Sequence, residues 1–366
     1  MNLLAGLDAI DWARLRHATG SADDLPPLLR RLVVGPDHER DEALIALYES
    51  LVDESLVFSA TAPAVPFLVD IARAPWAERR PEVLDLLGRI VRASAFPEVD
   101  DPMRPRDEIR DAAETPPAVT WALAAKAAVG RHEASWVELL DDPASAVRAG
   151  AAFVLSGLDV LDKRSVALLA SHAASEHDDV ARAAMLLALA EADALDAPSI
   201  LAAAMKTGAR LIRLASAVAI GRLGFPVELE PSVDLLVSAI REPDVYDGEW
   251  SQVAGTESVS SDAREGVVTL APDMARLAVG PLLGALAIEG CDTYQALRAV
   301  LELTFPEQGR PVSADGIGPV QRAVLERLAM TPPVWEDTSD RHVVQRYFRA
   351  RGLPGTRAEL RWFLGA

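Results

Sequence analysis

One feature constrains this chain more than any other: an arginine returns at the head of successive apolar stretches. Arg148 leads Ala149-Gly150-Ala151-Ala152-Phe153-Val154-Leu155, Arg182 leads Ala183-Ala184-Met185-Leu186-Leu187-Ala188-Leu189, and Arg213 leads Leu214-Ala215-Ser216-Ala217-Val218-Ala219-Ile220. Positions +3, +4 and +7 from each arginine are apolar or small, which is one face of a helix. Two earlier segments keep the register. Arg40 precedes Ala43, Leu44 and Leu47, and Arg80 precedes Val83, Leu84 and Leu87. The successive spacings are 40, 68, 34 and 31 residues. Since 68 is twice 34, the spacing predicts a further unit between Arg80 and Arg148 that lacks the arginine, with its helix over Ala118 to Gly130.

Shorter apolar segments between these helices supply a partner for each. They are Leu25 to Val34, Ala64 to Arg73, Ser135 to Leu140, Ser165 to Ala174, Pro198 to Met205 and Ser232 to Ile240. Pro26, Pro63, Pro198 and Pro231 stand near their starts, where a missing N–H is harmless. Asp or Ser before the arginine-led helices is expected to cap them. Half the residues are hydrophobic but only 5% are aromatic, and Ala and Leu carry the apolar content. Both favour helix, and small side chains let helices approach closely. The best strand-like run, Gly266-Val267-Val268-Thr269-Leu270, is short and isolated. The expected fold class is all-α, with helix pairs that each shelter an apolar face against the next.

The run Asp141-Asp142-Pro143-Ala144-Ser145-Ala146-Val147-Arg148-Ala149-Gly150-Ala151-Ala152 closely resembles HEAT and HEAT-like repeats, including the short bilin-lyase-type units. The likeness is closest at 141–158, looser at 177–193 and 207–224, and faint at 35–52 and 76–91. The chain is also similar to bacterial HEAT-repeat proteins of actinobacterial type. These open with a segment like Leu7-Asp8-Ala9-Ile10-Asp11-Trp12 and continue with one like Ala62-Pro63-Ala64-Val65-Pro66-Phe67-Leu68. The resemblance implies an α-solenoid of stacked antiparallel helix pairs in a right-handed superhelix, with an Asp–Arg ladder between neighbouring units. It implies a fold and no particular activity. On this reading residues 1–366 form a single repeat array. It comprises N-terminal repeats over 1–92, an acidic and proline-rich loop over 93–117, the best-defined repeats over 118–241, an acidic loop over 242–273, and degenerate helices over 274–366.

The formal net charge is −19, which argues against a phosphate-backbone cradle. One cysteine, Cys291, excludes an intrachain disulfide and a thiol-rich zinc site; it sits in a helical pattern and reads as a small buried hydrophobe. The start Met1-Asn2-Leu3-Leu4-Ala5-Gly6-Leu7-Asp8 lacks a basic n-region. The longest apolar run, Leu277 to Ile288, is shorter than the roughly 18 residues a membrane span needs. The chain therefore reads as a cytoplasmic protein without membrane contact. No Ser-His-Asp set, phosphate-cradling glycine loop or zinc spacing is present in the sequence, and no cofactor is expected.

The segment 242–273 carries eight acids against Arg264 alone, a net −7, whereas Gln321 to the end carries eight arginines against five acids. Within it, Asp244, Tyr246, Asp247, Glu249 and Trp250 combine aromatic anchors with acids that steer a basic partner. The bland alternative is a solvated linker whose Tyr246 and Trp250 tuck onto their own repeat. The favoured reading is a protein-binding scaffold with a basic protein partner, as in an immunity or inhibitor protein. Two enzyme readings compete. A HEAT-like DNA glycosylase of the alkylpurine type would place Trp121 and Trp136 in one groove. A metal-dependent hydroxylase resembling deoxyhypusine hydroxylase would use His38-Glu39 and His132-Glu133, while Glu176-His177 has the reversed order.

Overall fold

The structure is a computed structural model that describes residues 3–53, 56–93, 116–192, 194–224, 230–270, 272–306, 312–336 and 341–365. It is all-α apart from two short antiparallel hairpins, in which Arg16–His17 pairs Gly20–Ser21 and Val52–Asp53 pairs Leu56–Val57. The chain divides into two compact units. Of the described residues, those up to Ala194 together with Val253–Gly255 build the first, and the remainder from Leu195 onward build the second. No helix among the described residues is long and apolar enough to cross a membrane.

In the first unit the helices are α1 (Leu25–Val34), α2 (Asp37–Leu51), α3 (Thr61–Arg73), α4 (Arg80–Arg92), α5 (Pro116–Gly130), α6 (Glu133–Glu138), α7 (Ser145–Ser156), α8 (Lys163–Ser175) and α9 (Asp179–Glu191). α1 packs on α2, α3 on α4, α6 on α7 and α8 on α9. The arginine-led helices also pack on one another in the order α2, α4, α7, α9. Their facing residues, among them Leu47, Leu87, Val154, Leu155 and Leu186, are fully or almost fully buried. Trp12 docks the N-terminal segment: its ring lies 6.3 Å from that of Phe67 on α3, and its indole N–H donates to Leu7 O at 2.8 Å.

The direct contact of α4 with α7 corrects one expectation. The helix at 116–130 exists, but it does not separate Arg80 from Arg148 as a unit of its own. It packs on α3, α4 and the strand Leu56–Val57. The cause is glycine. A Cβ on Gly88 would lie 2.2 Å from the ring of Phe153, and one on Gly150 would lie 2.7 Å from Cβ of Leu84. These two positions let α4 and α7 close on each other, so the 68-residue spacing is one step of the row with an insertion. The expected interruption at 93–117 lies outside the described residues except for its ends; α5 already begins at Pro116.

The second unit contains α10 (Ala197–Thr207), α11 (Arg210–Leu223), α12 (Glu230–Arg241), α13 (Asp247–Trp250), α14 (Val259–Thr269), α15 (Pro272–Ala285), α16 (Thr293–Thr304), α17 (Pro319–Ala329), α18 (Pro333–Glu336), α19 (Arg341–Ala350) and α20 (Arg357–Leu364). Pairwise packing continues, α10 on α11, α12 on α14 and α15 on α16, while α11, α14 and α16 pack in sequence. The acidic stretch 242–273 is therefore no long loop. Its second half is α14, capped by Ser258, whose hydroxyl accepts the Ser261 N–H at 3.2 Å. The strand-like run at 266–270 lies at the end of this helix. A Cβ on Gly266 would lie 3.2 Å from Cα of Val218, and one on Gly221 would lie 2.2 Å from the Gly266 carbonyl oxygen, so α11 and α14 meet backbone to backbone.

Capping is more varied than expected. Asp178 caps α9 by accepting the Ala181 N–H at 2.9 Å, and Asp292 caps α16 through Gln295 at 3.0 Å. The residues flanking α2, α4, α7 and α11 provide no side-chain cap. Cys291 precedes α16 rather than lying within a helix, and it is half-buried.

Candidate functional site

The acidic-aromatic segment is pinned inward. Trp250 is 1% exposed, and its indole N–H donates at 2.9 Å to the carboxylate of Asp262 on α14. The Glu257 N–H donates to the same oxygen at 3.0 Å, and Arg222 pairs with the other at 3.1 Å. Burial nonetheless raises the Asp262 carboxyl above its ordinary range, against the pull of Trp250, Arg222 and Glu257. Tyr246 is also buried; the Arg210 guanidinium lies 5.3 Å over its ring, and its hydroxyl donates to Ser238 Oγ at 3.4 Å. Neither aromatic is available as a partner anchor, so that part of the expected site is corrected. A buried indole seeks a hydrogen-bond acceptor, and α14 provides one. Asp244, Asp247 and Glu249 stay exposed on the same short segment, with Glu249 3.7 Å from Arg210.

The other expected residues disperse. Trp136 is fully buried, its N–H donating to Val129 O at 3.1 Å, whereas Trp121 is half-buried on α5; they do not form one aromatic groove. His38 is exposed and Glu39 half-buried at the start of α2. His132 lies with its ring 6.3 Å from that of Trp136, and burial together with Arg131 and Arg73 lowers its pKa. Glu133 accepts the Asp162 N–H at 2.9 Å. Among the described residues no three His, Cys, Asp or Glu side chains converge to hold a metal ion, so the two His-Glu pairs have no shared site. Burial and Asp292 push the Cys291 thiol up to about 11, which keeps it a protonated, poor nucleophile at neutral pH.

What the arginine-led helices share is a series of ion pairs. Arg40 pairs with Glu78, just before α4. Arg80 donates to Asp142, just before α7, at 2.6 Å and to Ala72 O at 2.8 Å, with both charged side chains almost wholly buried. Arg148 grips Glu176, just before α9, with two bonds of 2.6 and 2.8 Å, and donates to Asp142 O at 2.9 Å. Each arginine thus reaches the carboxylate that precedes the next helix of the row. Glu176 also accepts the N–H groups of His177 and Asp178. Arg182 turns instead to Ala173 O at 3.2 Å.

A third cluster escaped the sequence reading. Arg264 of α14, Arg298 of α16 and Arg351 after α19 surround Glu302 of α16. Arg264 donates to Glu302 at 2.7 Å, while Arg298 and Arg351 stand 3.7 Å from it. Tyr347 donates to Glu302 and accepts from Arg351 at 2.8 Å. Its ring carries the Arg351 guanidinium at 4.0 Å and that of Arg298 at 5.4 Å, and it meets Tyr294 edge-on at 6.5 Å. The sign reversal after Gln321 signalled Arg351 alone; what hid the cluster was the sequence distance between Arg264, Arg298 and Arg351.

No family model matches the chain, and no curated protein matches its sequence.

Proposed function

We propose that this chain is a non-catalytic binding scaffold, a HEAT-like solenoid of stacked helix pairs that engages a basic protein in the manner of an immunity or inhibitor protein. The carrying observation is the exposure of Asp244, Asp247 and Glu249 on a short segment whose Tyr246 and Trp250 are buried beneath it. The aromatics act as internal pins, and the acids they hold in place form a preorganised anionic patch on a chain of net charge −19. Fixed acids of this kind speed encounter with a basic surface and select its orientation. The ordered packing of the arginine-led helices and the repeated arginine-to-carboxylate bond support the repeat reading, in which each unit stacks chiefly on its neighbours. A chain with a single cysteine, itself an unreactive thiol, suits the reducing cytoplasm.

The test measures affinity for cytochrome c, used as a lysine-rich probe, by calorimetry over a range of salt concentrations. Replacing Asp244, Asp247 and Glu249 with Asn, Asn and Gln should weaken binding by about tenfold or more and flatten its salt dependence. An unchanged affinity with an unchanged salt slope overturns the assignment of this patch.

A further inference from the structure

We propose that Arg264, Arg298 and Arg351, with Tyr294 and Tyr347, form a binding site for a phosphate group. The site is separate from the acidic patch and does not depend on the scaffold reading.

Charge balance is the first argument. Among the described residues, the ion pairs of all three arginines converge on Glu302, so three guanidiniums share one carboxylate and the cluster carries a net charge of +2. Arg351 is 3% exposed, and the side chains of Arg264, Arg298 and Glu302 are each less than one-fifth exposed. Partly desolvated positive charge in excess is unfavourable unless an anion balances it. A structural ion-pair network has no need of the third arginine.

Hydrogen bonding is the second. The Nε–H groups of Arg264, Arg298 and Arg351 are buried and, among the described residues, have no hydrogen-bond acceptor. Buried donors are almost always satisfied, and here three of one type are left over in the same cluster. A guanidinium presents its donors as a flat fork suited to carboxylate or phosphate oxygens. The three forks come from three different segments, which suits a tetrahedral oxyanion better than a planar carboxylate, and a doubly charged phosphate group matches the excess of two.

The tyrosines orient the forks. Arg298 lies 5.5 Å over Tyr294 and 5.4 Å over Tyr347, and Arg351 is stacked at 4.0 Å on Tyr347. Such stacking restricts a long side chain before any ligand arrives. Burial and Glu302 raise the Tyr347 hydroxyl to about 12, so it remains a donor to Glu302 through the neutral range and holds that carboxylate beside the arginines.

Calorimetric titration at constant ionic strength tests this with inorganic phosphate, phenyl phosphate and acetate. Saturable binding of inorganic phosphate alone identifies free phosphate as the ligand. Binding of phenyl phosphate as well, or instead, identifies a phosphate monoester. Acetate should bind at least about tenfold more weakly than the better phosphate ligand. Arg298→Gln should weaken phosphate binding by about tenfold or more, whereas Glu302→Gln, which removes the competing carboxylate, should retain or tighten it. Circular dichroism checks that each variant is folded, and Arg264→Gln replaces any arginine variant that is not. Absence of saturable phosphate binding at millimolar concentration overturns the proposal, as does binding that survives both Arg298→Gln and Arg264→Gln.

Discussion

Glu176 shows how much one side chain contributes to the packing of neighbouring helices. It accepts two hydrogen bonds from Arg148 and two from backbone N–H groups, and the Arg148 bonds above all pull its carboxyl down to about 2. Its folded-state pKa lies below the ordinary value of 4.5, so the ionised form is the one that stabilises the fold. That contribution is fully present above the unfolded-state value and is lost as pH falls toward the folded-state value. Urea unfolding of the wild type and of Glu176→Gln should therefore differ clearly at neutral pH, and the gap should shrink between about pH 5 and pH 2. A gap that stays constant over that interval refutes the assignment. The sequence showed Glu176 only as half of an acid–histidine neighbour pair. Its bonding to Arg148 became visible once the turn before α9 was placed against α7.

At the scale of the element, two kinds of helical glycine behave in opposite ways. Gly221 faces the backbone of Gly266, where a Cβ would lie 2.2 Å from a carbonyl oxygen that cannot move aside as a side chain would. Gly284, in the last turn of α15, has nothing within 4 Å of its would-be Cβ. Gly221→Ala should destabilise by about 2–3 kcal/mol or more through overpacking. Gly284→Ala should stabilise by up to about 0.5–1 kcal/mol, because Ala gives up less backbone freedom on forming helix. Both are measured by chemical denaturation, and equal effects would refute the close approach of α11 and α14. Periodicity read most helices correctly, and Leu25–Val34 matches to the residue. It failed at 259–269, where Ser, Asp, Arg, Glu and Gly dilute the apolar face. That helix is held by Asp262 under Trp250 and by the backbone contact at Gly266, and neither partner is a neighbour in sequence.

For the whole molecule, the division into two compact units has a consequence for stability. Each unit has its own core, centred on α4, α7 and α9 in the first and on α11, α14 and α16 in the second. Local unfolding follows such cooperative units. Hydrogen exchange read by mass spectrometry should show that Gly88→Ala, which collides with Phe153, lowers protection in α4 and α7 and leaves α11 and α14 largely unchanged. Gly221→Ala should do the reverse, and loss of protection spread evenly over both units would contradict this.

Composition and period, both local properties, were enough to determine that the chain is helical, which faces are apolar and where most helices begin. A helix's apolar stripe is written within a few turns of chain. Which helix lies beside which was decided only in three dimensions. It placed α7 directly on α4, drew Trp250 and Tyr246 inward, and gathered Arg264, Arg298 and Arg351 around Glu302. Those outcomes depend on close approach at single glycines and on charge balance among residues tens of positions apart, quantities that no local pattern carries.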